Sequence, residues 1–426
     1  MSGPRQLFRN ARLIDPESDR DGPGDLLVEG DRIAQLGTNL VVDDAKTIDC
    51  KGLCLAPGLV DMRVQLREPG AAHMESIESG GQAAAAGGVT TMVALPNTEP
   101  PVDDVSVVEF IARRAREARL AKIHTYAAAT KGLAGKELTE IGLLAENGAL
   151  GFTDGVKAIA NALVMRRVLA YARSFDQLII QHPEEPSLGG AGEVTEGETA
   201  TRLGLPGVTP MAEVIMLERD LRLVEITGAR YHAAHVSTAE GIAAIRNAKQ
   251  AGLPVTCDTA PPYFVLNETA IGDYRTFAKL SPPLREESDR QAVVDGIADG
   301  TIDAIASDHS PWDQDSKRLP FSSATAGIVG LETLLALALE LHHGGRLSLI
   351  EVLRRLTANP ARILGLDVGR LKEGGAADLV LFDPDLSGRI NTDALRSKSK
   401  NAPFDGRPVR GQVMRTIVDG RTIFQR

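Results

Sequence analysis

The middle of the chain repeats one pattern, in which a short apolar run ends in polar residues and an alanine-rich stretch of helical periodicity follows. Apolar runs of this length, separated by helical segments, predict parallel strands joined by right-handed crossover helices. The candidate strands are 53–66, 90–97, 122–130, 149–154, 177–182, 231–237, 254–260 and 304–309. Eight such units predict an α/β protein built as a (β/α)8 TIM barrel.

Both ends of the chain have a different pattern, that of short strands separated by glycine and proline. The runs at 6–14 and 25–36 open the chain, and those at 377–382, 409–418 and 421–424 close it. We therefore expect the two termini to build one small composite β domain from residues 1–52 and 370–426, with the barrel of residues 53–369 inserted between them.

Composition and charge limit the class of function. The 426 residues are 43% hydrophobic and 24% charged, as in ordinary globular proteins. A net charge of −10 gives no electrostatic reason to expect a nucleic acid or an anionic membrane as partner. The charged N-terminal segment does not resemble a signal peptide, and no apolar run is as long as a membrane span, so we expect a cytoplasmic protein.

Side chains with catalytic chemistry stand where the predicted strands end, and barrel enzymes carry their active sites at this position. They are Arg63, Gln65, Arg67, Asn97, Asp154, His182, His235, Asp308 and His309. A lone histidine at a strand end is usually a hydrogen-bonded structural residue, but here three of the chain's eight histidines stand at such ends. Imidazole and carboxylate groups from different strands predict a hydrolytic zinc site at the barrel mouth.

Many segments of the chain resemble the dihydroorotases of the amidohydrolase superfamily. They include PGLVDMRVQLREPG, LPNTEPP, EVTEGETATRLGLPG, AHVSTAEG, SPPLR, SDHSP and GRLKEGGAADLVLFDP, and they run nearly from end to end. The resemblance implies the barrel with a composite β domain. It also implies interconversion of N-carbamoyl-aspartate and dihydroorotate in pyrimidine synthesis, and association with aspartate transcarbamoylase.

The resemblance also assigns roles, position by position. Arg67 and Asn97 match residues that hold the substrate carboxylate, and His309 follows in the strand-eight motif as a further substrate-binding residue. Asp308 matches the catalytic acid and base. The metal ligands implied by the match are Asp154, His182 and His235.

Strand one departs from the family pattern. Members of the family carry His-x-His there as ligands of the first metal, whereas this chain has Arg63 and Gln65. A guanidinium is always protonated and has no lone pair to donate, and a glutamine carbonyl is a weak zinc ligand. We therefore expect Arg63 to pair with Asp308 and to fill the first metal site. Three further departures are Ser281 in SPPLR, the APPY segment of residues 260–263 in place of a His-rich segment, and Trp312 after SDHSP.

Three hypotheses follow for the function. The main one is a pseudo-dihydroorotase that has lost its first metal site and supports aspartate transcarbamoylase. The second is an active dihydroorotase with a single zinc on Asp154, His182 and His235, so we expect zero or one zinc per chain. The third is an amidohydrolase of another cyclic amide, with Arg63 as a substrate clamp. In each case we expect a homo-oligomer.

Overall fold

A computed structural model describes residues 4–190 and 192–426 of the chain. Its strands are β1 (Arg5–Asp15), β2 (Arg20–Glu29), β3 (Arg32–Gly37), β4 (Lys46–Asp49), β5 (Cys54–Pro57), β6 (Leu59–Val64), β7 (Val89–Ala94), β8 (Lys122–Ala127), β9 (Ala149–Phe152), β10 (Ile179–Gln181), β11 (Val194–Thr195), β12 (Gly207–Val208), β13 (Tyr231–Ala233), β14 (Val255–Thr259), β15 (Ala304–Ile305), β16 (Leu379–Arg389), β17 (Pro408–Val418) and β18 (Arg421–Gln425).

The α-helices are α1 (Ile77–Ala86), α2 (Val105–Ala118), α3 (Ile141–Glu146), α4 (Ala162–Arg173), α5 (Pro186–Gly189), α6 (Glu198–Leu203), α7 (Met211–Thr227), α8 (Ala239–Gln250), α9 (Pro261–Val265), α10 (Glu287–Ala298), α11 (Gln314–Lys317), α12 (Leu334–His343), α13 (Leu349–Leu356) and α14 (Ala358–Leu364). Short 3₁₀ helices cover Lys131–Leu133, Glu268–Ile271, Thr276–Ala278, Phe321–Ser323 and Thr392–Ala394.

The predicted barrel is confirmed. Strands β6 to β10 and β13 to β15 form one eight-stranded parallel sheet in the order β15-β14-β13-β10-β9-β8-β7-β6. The sheet nearly closes on itself, because a parallel bridge joins Val64 at the end of β6 to His309 after β15. The amide of Gln65 also donates to the carbonyl of His309 at 2.8 Å. Its strand ends therefore surround one mouth.

Helix α4 shows how capping and an apolar stripe form an outer helix of the barrel. In α4, the side chain of Asn161 accepts hydrogen bonds from the amides of Leu163 and Val164, which start the helix. The buried positions of α4 recur at helical spacing on one face: Val164, Met165, Val168, Leu169 and Ala172. Within the ranges that the structure describes, no helix has the length and apolar character needed to cross a bilayer.

The terminal strands meet in a second, mixed sheet, as the composite β domain requires. Its order is β18-β17-β16-β5-β1-β2-β3, with β4 added beside β1. An apolar cluster that includes Phe8, Leu26 and Leu379 packs on one face of this sheet. Strand β5 starts at Cys54, beyond the predicted boundary at residue 52, so the division into residues 1–52 with 370–426 and 53–369 stays a prediction.

Two expected strands are in fact each two, and the first of them, the run 25–36, divides into β2 and β3 at a turn of residues 30 and 31. The predicted run 53–66 divides at Gly58 into β5, which lies in the terminal sheet, and β6, which starts the barrel. A Cβ atom added to Gly58 would lie 2.1 Å from Thr90 Cγ2. The chain can pass from one sheet to the other here because glycine allows the backbone to approach β7 closely.

Candidate functional site

The barrel mouth holds every side chain that the sequence placed at a strand end. Arg63 lies in β6, with Gln65 and Arg67 after it, and Asn97 follows β7. The remaining candidates follow β9, β10, β13 and β15 in turn: Asp154, His182, His235, and Asp308 with His309. All of these residues are buried except Asn97, which is half-buried. Such side chains can interact strongly, because little water screens their charges.

Four of them form a continuous chain of contacts, here called the ion-pair cluster: Arg63, Asp308, His235 and His182. Arg63 Nε donates to Asp308 Oδ1 at 2.9 Å, the contact expected from the sequence. Asp308 Oδ2 lies 3.0 Å from His235 Nδ1, and His235 Nε2 lies 2.7 Å from His182 Nδ1. Arg63 is 2% exposed and Asp308 is 7% exposed, so this is a buried salt bridge extended by two imidazoles.

The surroundings of Asp308 fix its charge. Burial alone would raise the pKa of this carboxyl group, but His235 and Arg63 together lower the pKa below its ordinary value. The pKa of His182 is also lowered, first by burial and then by the charges of His235 and Arg63. The ion-pair cluster thus favours an ionised Asp308, which is a poor proton acceptor, and a neutral His182.

The backbone is strained where this cluster is held. His235 has φ of 38° and Asp308 has φ of 50°, a left-handed conformation that residues other than glycine rarely adopt. Asp258 Oδ1 accepts a hydrogen bond from the His235 amide at 2.5 Å. The other Asp258 oxygen lies 3.1 Å from His232 Nε2. His232 and Asp258 therefore support the position of His235 from beneath the mouth.

Asp154, the expected third metal ligand, has other partners. Its carboxylate accepts from the Thr130 amide at 2.9 Å and from Thr130 Oγ1 at 2.5 Å. Burial raises the pKa of Asp154 against the effect of Thr130. Across residues 4–190 and 192–426, no three His, Cys, Asp or Glu residues are grouped so that they could hold a metal. The position implied for the first metal contains Arg63, and a guanidinium does not fit zinc. The ligand set of Asp154, His182 and His235 for a single zinc stays a prediction.

A second group, here called the Arg67 cluster, comprises Arg67, Trp312, Ser310, Gln65 and Asn97. The Arg67 guanidinium lies 4.2 Å from the centre of the Trp312 ring, and its Nε donates to the Pro311 carbonyl at 3.1 Å. Ser310 Oγ accepts from Gln65 Nε2 at 2.9 Å and lies 3.5 Å from Arg67 Nη2. Gln65 Oε1 in turn accepts from Asn97 Nδ2 at 2.9 Å.

Arg67 has no carboxylate partner within the described part of the chain. Burial lowers the pKa of Arg67 to about 10, although the guanidinium stays charged at neutral pH. A buried cation with only neutral neighbours is stabilised when an anion reaches it. The Arg67 cluster therefore has the character of an anion-binding site.

His309 forms its hydrogen bonds within the protein. Its Nδ1 accepts from the Gly330 amide at 3.2 Å, so its Nε2 carries the proton and donates to Glu75 Oε2 at 3.3 Å. Glu75 is fully buried and also accepts from the hydroxyls of Ser397 and Ser79. Both ring nitrogens are thus used within the protein, and a substrate-binding role for His309 stays a prediction.

Sequence reasoning missed several residues that shape the mouth. In the sequence, Trp312 is only a departure from the family pattern. In the structure, the Arg67 guanidinium stacks on its ring. Ser310 connects Arg67 to the predicted residues Gln65 and Asn97, and Asp258 accepts a hydrogen bond from the His235 amide. Ser310 lies within the SDHSP motif and Trp312 directly after it, so the sequence already indicated that both lie close to Asp308. No sequence signal indicated a role for Asp258.

Comparisons with known proteins identify the family of the chain. A family model described as "Dihydro-orotase-like" matches residues 52–241, and one described as "Amidohydrolase family" matches residues 328–424. The dihydroorotase of a Wolbachia species from Drosophila simulans is 44% identical over 425 residues, which cover 99% of this chain and 96% of that protein. The dihydroorotase of Syntrophus aciditrophicus is 43% identical and covers 98% of this chain and 99% of its own length.

Solved structures show the same architecture. An L-hydantoinase (dihydropyrimidinase) from Arthrobacter aurescens superposes with a TM-score of 0.89 at 25% identity, over 100% of this chain and 96% of that one. A dihydropyrimidinase from Brevibacillus agri gives a TM-score of 0.83 at 22% identity, a likeness of fold alone. With full-length relatives at 44% identity, the chain belongs to the dihydroorotase family of the amidohydrolase superfamily.

Proposed function

We propose that this chain acts in pyrimidine biosynthesis as a pseudo-dihydroorotase. It binds dihydroorotate or N-carbamoyl-L-aspartate at the barrel mouth but does not interconvert them. The observation that carries this proposal is the buried salt bridge of 2.9 Å between Arg63 and Asp308. It occupies the position where other members of the family carry the imidazole ligands of the first metal.

The chemistry of Arg63 explains the loss of activity. A catalytic metal makes a hydroxide available at neutral pH by lowering the pKa of a bound water. A guanidinium can balance the charge of Asp308, but it offers no open coordination position. The lowered pKa of Asp308 also weakens it as a proton acceptor.

Ligand binding is proposed to survive this loss. Arg67 and Asn97 remain at the positions that hold the substrate carboxylate in relatives, and the Arg67 cluster presents a buried cation without an anion of its own. A barrel of this kind can keep a binding or assembly role after its chemistry is gone. We propose that role to be support of aspartate transcarbamoylase.

A second candidate is an active dihydroorotase with a single zinc. The full-length identity of 44% and 43% to proteins named dihydroorotase favours this candidate over the first. Its site would use the neighbouring imidazoles of His182 and His235. It would also require Asp154 to exchange its hydrogen bonds with Thr130 for the metal.

Metal content and turnover decide between the two candidates. The protein is loaded with zinc, desalted and analysed by mass spectrometry, and dihydroorotate turnover is assayed in both directions. The pseudoenzyme predicts zinc near zero and no turnover, whereas about one zinc per chain with turnover would support the second candidate. Hydantoins and dihydropyrimidines belong in the same assay, because hydrolysis of these alone would indicate another cyclic amide as substrate.

A matched variant sharpens the result. The double substitution Arg63→His with Gln65→His restores the donor pair found in relatives, and it should increase both zinc content and turnover above those of the unaltered protein. A gain in zinc without a gain in turnover would place the loss of activity outside strand one. Brisk turnover by the unaltered protein would contradict the pseudoenzyme directly.

A further inference from the structure

The guanidinium of Arg63 has more donors than the protein uses. Nε donates to Asp308 at 2.9 Å, and Nη2 lies 3.5 Å from the Gly155 carbonyl, at the limit of a hydrogen bond. Within the described residues, Nη1 has no hydrogen-bond partner, although Arg63 is almost completely buried. A buried donor without an acceptor is costly, so this position favours a ligand that brings an acceptor.

Arg63 also lies close to the Arg67 cluster. The Gly155 backbone, which contacts Arg63 Nη2, packs beside Asn97, since a Cβ atom added to Gly155 would lie 3.4 Å from Asn97 Cβ. Asn97 then connects through Gln65 and Ser310 to the neighbourhood of Arg67. The two buried guanidiniums thus flank one connected set of side chains in the mouth.

Their charges differ in how far they are balanced. Asp308 balances Arg63 through a single nitrogen, and Arg67 has no carboxylate partner in the parts of the chain described. A ligand with two carboxylates offers an anion for each guanidinium, whereas a ligand with one carboxylate leaves Arg63 Nη1 without an acceptor of that strength.

We infer that Arg63 and Arg67 together make this site selective for the open-chain dicarboxylate N-carbamoyl-L-aspartate over the cyclic monocarboxylate dihydroorotate. This inference rests on the proposed function, which supplies the ligand pair. Cyclisation joins the side-chain carboxylate of N-carbamoyl-aspartate to its terminal carbamoyl nitrogen and releases water. Only the open form therefore carries the second anion that Arg63 can bind.

The selectivity assigns the protein a place in a reaction sequence. Its preferred ligand is the product of carbamoyl transfer to the amino group of aspartate, so a carbamoyl transferase must supply it. A protein that binds this product without closing the ring would retain it at the barrel mouth.

Equilibrium dialysis with three ligands tests the inference. They are N-carbamoyl-L-aspartate, L-dihydroorotate and N-carbamoyl-L-asparagine, in which an amide replaces the second carboxylate, and mass spectrometry quantifies each bound species. Unaltered protein should bind the dicarboxylate about tenfold or more tightly than either of the others, as expected for one charge-assisted hydrogen bond. This comparison needs no variant.

The variant Arg63→Gln then identifies the residue responsible. It should reduce the preference for carbamoyl-aspartate over carbamoyl-asparagine to less than about threefold, because the amide side chain lacks the positive charge. Arg355→Gln is the matched control, since Arg355 is also a buried arginine but bonds to Glu351 and the Ile297 carbonyl, away from the mouth. It should leave the preference unchanged.

The outcomes separate this inference from the proposed function. Equal affinity for all three ligands would overturn the selectivity while leaving the proposed binding intact. Failure to bind any of them would overturn both. A preference for the dicarboxylate that persists in Arg63→Gln would assign the second anion site to another residue and so also overturn the role given to Arg63.

Discussion

Two clusters in one barrel mouth each contain a buried arginine, and they differ in what balances its charge. In the ion-pair cluster, Arg63 has an internal partner, Asp308, at 2.9 Å. In the Arg67 cluster, the guanidinium stacks on Trp312 and, within residues 4–190 and 192–426, donates only to uncharged oxygens. Removing one partner of a buried ion pair is strongly destabilising because it leaves the other charge uncompensated, whereas a buried cation without a carboxylate already bears that cost and is relieved by a ligand that brings an anion.

The largest expected effect comes from breaking the internal pair. Arg63→Met leaves Asp308 as a buried carboxylate without its arginine, and we expect the free energy of unfolding to fall by about 3 to 5 kcal/mol. Chemical denaturation measures this loss. The double variant Arg63→Met with Asp308→Asn should lose much less than the two single variants together, because no uncompensated charge remains. A loss below about 1 kcal/mol in Arg63→Met would contradict the role assigned to the pair.

Substitution of Arg67 should have the opposite effect, with little change in stability and a clear loss of ligand affinity. Arg67→Gln removes a buried cation without a carboxylate, so stability should change by less than about 0.5 kcal/mol or increase. Affinity for N-carbamoyl-L-aspartate should fall by about 2 kcal/mol, a factor of about thirty. Denaturation and equilibrium dialysis on the same preparation measure both quantities. If Arg67→Gln destabilised the fold as strongly as Arg63→Met, the contrast between the clusters would be wrong.

Acid should affect the ion-pair cluster selectively. The pKa of Asp308 is lower in the folded protein than in the unfolded chain, because His235 and Arg63 outweigh the effect of burial. The unfolded state therefore binds more protons, and the stability from Asp308 is present above the ordinary aspartate pKa of about 4 and is lost as the pH falls toward the folded pKa.

The slope of stability against pH below about pH 4 should be steeper in the unaltered protein than in the double variant Arg63→Met with Asp308→Asn. One titrating group contributes at most about 1.4 kcal/mol per pH unit. Urea denaturation between pH 5 and the acid limit of folding, at about half-unit steps, measures the difference. Parallel curves would mean that Asp308 titrates normally in the folded protein.

The smallest expected effect is the change in ligand affinity when Trp312, whose ring stacks with Arg67, is substituted. Trp312→Leu removes the cation–π contact at 4.2 Å, which is worth about 0.5 to 1 kcal/mol. Binding of N-carbamoyl-L-aspartate should weaken by about threefold while Arg67 stays charged. Trp312→Phe, which keeps an aromatic face, should recover part of this loss. Equal affinity in the leucine and phenylalanine variants would show that the ring face does not position Arg67.

The architecture and the candidate residues at the strand ends followed from the sequence. Polar side chains at the ends of apolar strands predicted one barrel mouth, and the absence of histidine at positions 63 and 65 predicted the pairing of Arg63 with Asp308. The strand ends were predictable because strand periodicity is a local property of the chain, whereas the pairing was predictable from the resemblance to dihydroorotases. The division of the predicted run 53–66 at Gly58 was missed, because a close approach to Thr90 in another strand causes it.

The orientation of side chains inside the mouth was not a local property. His309 follows Asp308 directly in the sequence, yet it bonds with Glu75 and Gly330. Asp154 bonds with Thr130 from the preceding β8 region, and Trp312 lies under Arg67, more than two hundred residues away in the chain. Each partner is chosen by packing between segments that are far apart in sequence.

The sequence by itself therefore determined the barrel, the strand ends that face its mouth and the types of side chain present there. Hydrophobic periodicity and residue identity can both be read from short stretches of the sequence. Only the tertiary structure decided that Arg67, unlike Arg63, has no carboxylate partner among the described residues. That distinction depends on which charged groups are buried next to one another, where water screens their interaction weakly. Folding brings such groups together from distant parts of the chain.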